Sequence, residues 1–154
     1  MKRSEPDTDE LSDADYERLL SVRDGVRRFL HWSEQQAADA GMTSAQHQLL
    51  LAIRGHGTSP SVSDVAAHLL LKHHSAVELV DRAARAGLVR RMQDEGDQRV
   101  VRVELTAAGR RKLRTLAKHH LDELSRMGSD FALMRDPRLT ETHPRSLKEH
   151  GKRI

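Results

Sequence analysis

The 154-residue sequence predicts a mainly α-helical protein with one small β-hairpin. Three observations lead there. Apolar residues recur at helical spacing over most of the chain. Two capping boxes, Thr43-x-x-Gln46 and Ser61-x-x-Asp64, each open a short helix. After Gly87 the period changes from helical to alternating.

The elements follow in order. Residues 1–12 are polar and acidic and read as a flexible N-terminus. From about Asp13, Tyr16, Leu19, Leu20, Phe29, Leu30 and Ala37 fall at helical spacing with charges between them, and Gly41 suits the stop of this first helix, over residues 13–40. Thr43 opens a helix whose buried face is Leu49, Leu50 and Ile53, and Gly55–Pro60 is a breaker cluster read as a loop. Ser61 opens a short helix through Val65, Ala66 and Leu69, and a brief turn at Leu70–Lys72 leads to a second helix ending near Ala86. Two short helices with so tight a joint form a helix-turn-helix. Leu88–Arg91 begins an extended run, Asp94–Gln98 turns at Gly96, and Val101, Val103 and Leu105 alternate with Arg102 and Glu104: a hairpin with one buried face. Thr106 caps a long helix, expected over residues 107–135, with Leu113, Leu116, Leu121 and Leu124 along one side. Gly128 interrupts it, Phe131–Met134 make one more apolar turn, and residues 136–154 form a basic, aperiodic tail expected to be disordered.

Composition narrows the function classes. The chain is 37% hydrophobic, 32% charged and 3% aromatic, with no cysteine. Disulfides, thiolate metal sites, cysteine nucleophiles and thiol redox sensing are therefore excluded. Four aromatic residues (Tyr16, Phe29, Trp32, Phe131) are too few for an aromatic-lined cofactor pocket or a stacking platform for single strands. No apolar run approaches the roughly 20 residues of a membrane span, so a soluble, cytoplasmic protein with no membrane partner is expected. The net charge of +3 is unevenly spread. Residues 1–17 hold two basic side chains against seven acids, whereas residues 72–118 hold 12 against 6. A basic block of that size suits a polyanion-binding surface, with a solvated basic face as the plainer alternative.

The order of elements is that of a winged helix-turn-helix (lobe about 43–106) flanked by N- and C-terminal helices, a fold whose recognition helix fits the major groove of duplex DNA. The chain also resembles the MarR family of bacterial transcriptional regulators over roughly residues 13–127. The motifs are Gly41-Met42-Thr43-Ser44-Ala45-Gln46; Leu79-Val80-Asp81-Arg82 with Gly87-Leu88-Val89-Arg90-Arg91; Asp94-Glu95-Gly96-Asp97-Gln98-Arg99; and Leu105-Thr106-Ala107-Ala108-Gly109-Arg110. Each is weak alone, and together in this order they are specific. The resemblance implies a homodimer with entwined terminal helices, reading a pseudopalindromic operator, and a small-molecule effector of unidentified structure. Burial points the same way: amphipathic terminal helices need a partner, which makes Leu19, Leu20, Leu116, Leu121 and Leu124 dimerisation candidates.

On the recognition helix, Ala76, Leu79, Val80 and Ala83 share one face and are core residues. His74, Ser75, Glu78 and Arg82 project elsewhere, with Val77 intermediate. Lys72 and His73 suit phosphates, His74 and Ser75 phosphates or base edges, and Val77 a thymine methyl. Relatives commonly place a Ser or Thr cap at the position of Lys72, and an Arg or Thr at that of Glu78. Glu78 either accepts from cytosine N4 or pairs with Arg82 one turn on. Arg99 matches the family's wing arginine, which borders the minor groove, and Gln98 replaces a basic residue often beside it. Arg90, Arg91 and Arg102 are candidate phosphate neighbours, while Asp94 and Asp97 are read as fixing the wing turn or pairing with its arginines. Trp32 lines either an effector cleft or an interface.

Other functional classes find less support in the sequence. Ten histidines include the adjacent pairs His73/His74 and His119/His120. Helical neighbours diverge by about 100°, so neither pair makes a compact metal site alone, and neither a metal nor a cofactor is expected. A metal-sensing regulator of the same fold is one alternative, and a winged-helix module for protein or RNA is another. No phosphate loop, G-x-S-x-G or H-E-x-x-H occurs, so no enzyme is expected.

Overall fold

The computed structural model describes residues 11–128. Its elements are α1 (Asp13–Asp39), α2 (Ser44–Gly55), α3 (Val62–Leu69), α4 (His73–Arg85), β1 (Val89–Gln93), β2 (Val101–Leu105) and α5 (Ala107–Arg126). A mostly helical chain with one antiparallel two-stranded hairpin is the predicted fold class. Residues 1–10, the apolar turn at Phe131–Met134 and the 136–154 tail lie outside the described residues. No helix among the described residues is long and apolar enough to cross a membrane.

The described residues divide into two units, 29–124 and 11–28 with 125–128. In the smaller unit α1 opens on a reciprocal pair of bonds between Ser12 and Asp15. The Ser12 backbone N–H donates to Asp15 Oδ2 at 3.0 Å and the Asp15 N–H donates to Ser12 Oγ at 3.3 Å. The Ser12 hydroxyl, which donates to Asp15 Oδ2 at 2.7 Å, and then the Ser12 N–H hold the Asp15 carboxyl below its usual range. Leu11, Tyr16, Leu19 and Leu20 of this unit are exposed.

The larger unit carries the core. Leu49, Leu50 and Ile53 of α2, Val62, Val65 and Ala66 of α3, and Ala76, Leu79, Val80 and Ala83 of α4 pack with Val89, Val103 and Leu105 of the hairpin and Leu113 and Leu116 of α5. Both capping boxes form as the sequence predicts, at Thr43/Gln46 and Ser61/Asp64. The bonds from Ser61 hold the Asp64 carboxyl below its usual range. Between α3 and α4 the chain reverses at Leu70, which adopts a left-handed conformation (φ 54°) while 93% exposed. The Leu71 N–H returns to the Ala66 carbonyl at 2.9 Å and closes the turn. At the other end of α4, Gly87 takes the positive φ (73°) that stops the helix.

The hairpin pairs Val89 with Leu105, Arg91 with Val103 and Gln93 with Val101. It is anchored by a segment read from the sequence only as loop. The Val103 N–H donates to the Pro60 carbonyl at 2.9 Å, and Ser61 and Arg102 form an antiparallel bridge. Proline lacks the N–H for a regular strand but keeps the acceptor used here. α5 then starts at Thr106, whose Oγ1 accepts the Gly109 N–H at 3.0 Å and donates to the Gly87 carbonyl at 2.6 Å. This brings Gly109 against the hairpin so closely that a Cβ there would lie 2.1 Å from the Leu88 carbonyl oxygen. That oxygen accepts the Thr106 N–H and is not free to move aside. Gly109→Ala is therefore expected to destabilise the fold by about 3 kcal/mol, as for severe overpacking. A chemical-denaturation midpoint unchanged from wild type would contradict this close approach.

Candidate nucleic-acid interface

α4 is built to present one side. Lys72 occupies the N-cap position and makes no side-chain capping bond, so its ammonium is left exposed at the helix entrance. The buried face of Ala76, Leu79, Val80 and Ala83 is the one the sequence assigns to the core. His74, Glu78 and Arg82, four residues apart on the other side, are all exposed, while Ser75 and Val77 are half-buried. A recess of about 170 Å³ opens between the starts of α3 and α4 and the hairpin, lined by Ser61, Ser63, His73, Val77, Arg91 and Arg99. Four candidate contact residues from two elements thus come together there.

The turn of the hairpin is organised by its acids, as the sequence predicts for Asp94 and Asp97. Asp94 Oδ2 accepts the N–H groups of Gly96 (3.1 Å) and Asp97 (3.0 Å), and Oδ1 accepts Arg102 Nε at 2.7 Å. The bond from Arg102, helped by those two backbone N–H groups, holds the Asp94 carboxyl below its usual range. Asp97 Oδ1 accepts the Arg99 N–H at 3.0 Å and lies 3.6 Å from Arg99 Nε. The Arg99 side chain is nonetheless 94% exposed.

The other arginines are tied down. Arg90 meets Glu104 at 2.8 Å, and this contact, with a bond from Ser59 Oγ, holds the Glu104 carboxyl low. Arg91 pairs with Asp81 of α4. Arg102 also donates to the Ser59 carbonyl at 3.2 Å. Sequence reasoning missed these partners, although Arg90 and Glu104 are cross-strand neighbours in the register. Conversely, the Glu78–Arg82 pair allowed by their spacing is not formed: among the described residues neither side chain makes an ion pair or hydrogen bond. Among the proposed dimerisation residues, Leu116 needs correction. It is 2% exposed in the chain's own core, whereas Leu121 (66%) and Leu124 (38%) remain open.

The histidines that meet are not the adjacent pairs. His56 Nδ1 lies 3.0 Å from His68 Nε2. His47 of α2 packs against His120 of α5 with ring centroids 4.6 Å apart, and Trp32 lies 4.8 Å and Phe29 5.8 Å from His120. His120 Nδ1 faces the Leu116 carbonyl at 2.7 Å, which can only accept. The neutral ring therefore carries its proton there, leaving Nε2 to accept from Ser33 Oγ at 2.7 Å. No group of three or more metal-ligating side chains exists among the described residues.

A helix-turn-helix with an arginine-tipped hairpin beside it defines a winged-helix DNA-binding protein. The MarR family model matches residues 40–100. The chain is 31% identical over 134 residues to the HTH-type transcriptional repressor NicR of Pseudomonas putida, covering 83% of this chain and 84% of that one. Its fold matches AbsC, a MarR family transcriptional regulator from Streptomyces coelicolor (26% identity, TM-score 0.68, covering 87% of this chain and 90% of that one). It also matches Bordetella bronchiseptica BpsR, whose DNA binding is regulated by 6-hydroxynicotinic acid (25% identity, TM-score 0.57, 76% and 84% covered). The chain belongs to the MarR family of transcriptional regulators.

The buried histidine has a measurable consequence. Burial, aided by the neighbouring His120, pushes His47 down to about 4 from an ordinary value of 6.5. The folded chain therefore keeps His47 neutral where the unfolded chain takes a proton. This stability is intact above pH 6.5 and is lost as pH falls toward 4. Between pH 7 and pH 4.5 the loss should be about 2–3 kcal/mol, from the linkage of the two values. Urea unfolding of wild type and His47→Leu at both pH values isolates it: the variant should lose that much less stability on acidification.

Proposed function

We propose that this regulator acts as a ligand-responsive homodimer on a pseudopalindromic operator. The observation that carries the reading is α4 itself, one face sealed in the core and the opposite stripe of His74, Glu78 and Arg82 open to solvent beside an exposed Arg99. In this reading α4 enters the major groove, with Lys72 and His73 on phosphates and His74, Ser75 and Val77 on phosphates or base edges. Arg99 enters or borders the minor groove, where the potential is most negative. Arg90, Arg91 and Arg102 flank the backbone while orienting the wing through their acids.

Homodimerisation is supported by the leucines left open on the single chain, Leu19, Leu20, Leu30 and Leu121. Ligand response is supported by the likeness to BpsR. An effector releases DNA only if it binds the DNA-incompetent arrangement more tightly than the competent one.

Fluorescence anisotropy on duplex DNA at several salt concentrations tests the reading, with sedimentation for the dimer. Arg99→Ala should weaken binding across sequences and lower the salt slope by about two, one phosphate-type contact for each subunit. Absence of salt-sensitive duplex binding by the wild type would overturn the operator reading. An unchanged slope in the variant would remove Arg99 from it.

A further inference from the structure

We infer that Glu78 is a specificity-determining residue that selects cytosine in each half-site; the inference rests on the operator reading above. Glu78 lies midway along the exposed stripe of α4, one turn from His74 and one turn from Arg82. Among the described residues its carboxylate has no hydrogen-bond or ion-pair partner. The other acid of α4, Asp81, is neutralised by Arg91, and Asp94, Asp97 and Glu104 of the wing each face an arginine. Arg82 is within one turn and exposed, yet the two side chains do not pair.

An uncompensated carboxylate on a helix that approaches a polyanion opposes binding to every sequence. The opposition is offset only where the DNA offers a donor to it. A carboxylate accepts and cannot donate, and the major-groove edges differ in just this respect. Guanine presents N7 and O6, both acceptors, and thymine presents the O4 acceptor with its methyl. Adenine presents the N6 amino group beside the N7 acceptor, which repels a carboxylate. Cytosine alone presents the N4 amino group with no acceptor of its own next to it. Glu78 thus discriminates twice, by accepting from cytosine and by repelling the acceptor-bearing edges.

The chemistry of the side chain also says what its replacement should do. An amide at this position carries an acceptor and a donor together and matches adenine N6 and N7. A methyl group has no polar preference and no charge. The experiment is enrichment of bound duplexes from a randomised pool, run with the full chain as wild type, Glu78→Gln and Glu78→Ala. Because Glu78 is exposed, both variants should melt as the wild type does.

The wild type should enrich cytosine at one symmetric position per half-site, by about tenfold over other bases. Glu78→Gln should move that position to adenine and leave the rest of the site unchanged. Glu78→Ala should erase the preference there and bind unselected duplex several-fold more tightly, since the repulsion is gone. Retention of the cytosine preference in Glu78→Ala, or a wild-type site whose base preferences neither variant moves, overturns the assignment while leaving the operator reading standing. A wild type that enriches no sequence overturns both.

Discussion

The direction of every projecting side chain on α4 follows from how Ala76, Leu79, Val80 and Ala83 are packed. Alanines at 76 and 83 bring the helix close to the core, and Leu79 and Val80 fill the space between them. Burying those two larger side chains contributes about 2 kcal/mol each. A helix of 13 residues is marginal alone, so this packing, rather than intrinsic propensity, is what makes α4 a helix at all. Leu70 belongs to the same constraint. Its left-handed conformation costs about 1 kcal/mol for a residue other than glycine, and core burial on both sides of the joint offsets it.

The wing is held by a different kind of force. Arg102 bridges Asp94 and the Ser59 carbonyl, Glu104 is shared by Arg90 and Ser59, and Asp81 connects the hairpin to α4 through Arg91. Pairs as exposed as these contribute at most about 1 kcal/mol each, so their effect is orientation more than stability. They also reduce the charge available to a partner. Twelve basic residues lie between 72 and 118, but the four arginines of the hairpin each face a carboxylate. Only Arg99, whose contact with Asp97 is long, extends fully into solvent.

Local signals in the sequence located the elements, because caps, stops and alternation are written within a few neighbouring residues. Thr43/Gln46, Ser61/Asp64, Gly87 and the Val101–Leu105 alternation all mark their elements where the structure has them. Partners distant in sequence were not legible. Arg91 and Asp81 are ten residues apart, and His47 and His120 are seventy-three apart; only the fold brings them together. Spacing also overstates what it licenses. Glu78 and Arg82 are correctly spaced for a pair that their side chains do not make. The leucine stripe of α5 is continuous in the sequence but changes role along the helix: Leu113 and Leu116 serve the core, while Leu121 and Leu124 remain open.

In the proposed operator complex, a surface with so many arginines already engaged cannot derive much selectivity from charge. Contacts to phosphates raise affinity for every sequence alike, and the acids of the wing moderate even that. Discrimination then falls to the few uncommitted groups on α4, and symmetry multiplies what each can do. In the proposed dimer the two copies of one side chain meet one half-site each, so a tenfold preference per half-site becomes about a hundredfold preference for the full site when the sites act independently. One unpaired carboxylate on each α4 is therefore a sufficient device. The proposed symmetry also fits the low apolar content: a 37% hydrophobic chain covers its lobe core from within, and in the proposed dimer a second copy would cover the exposed leucines of α1 and α5.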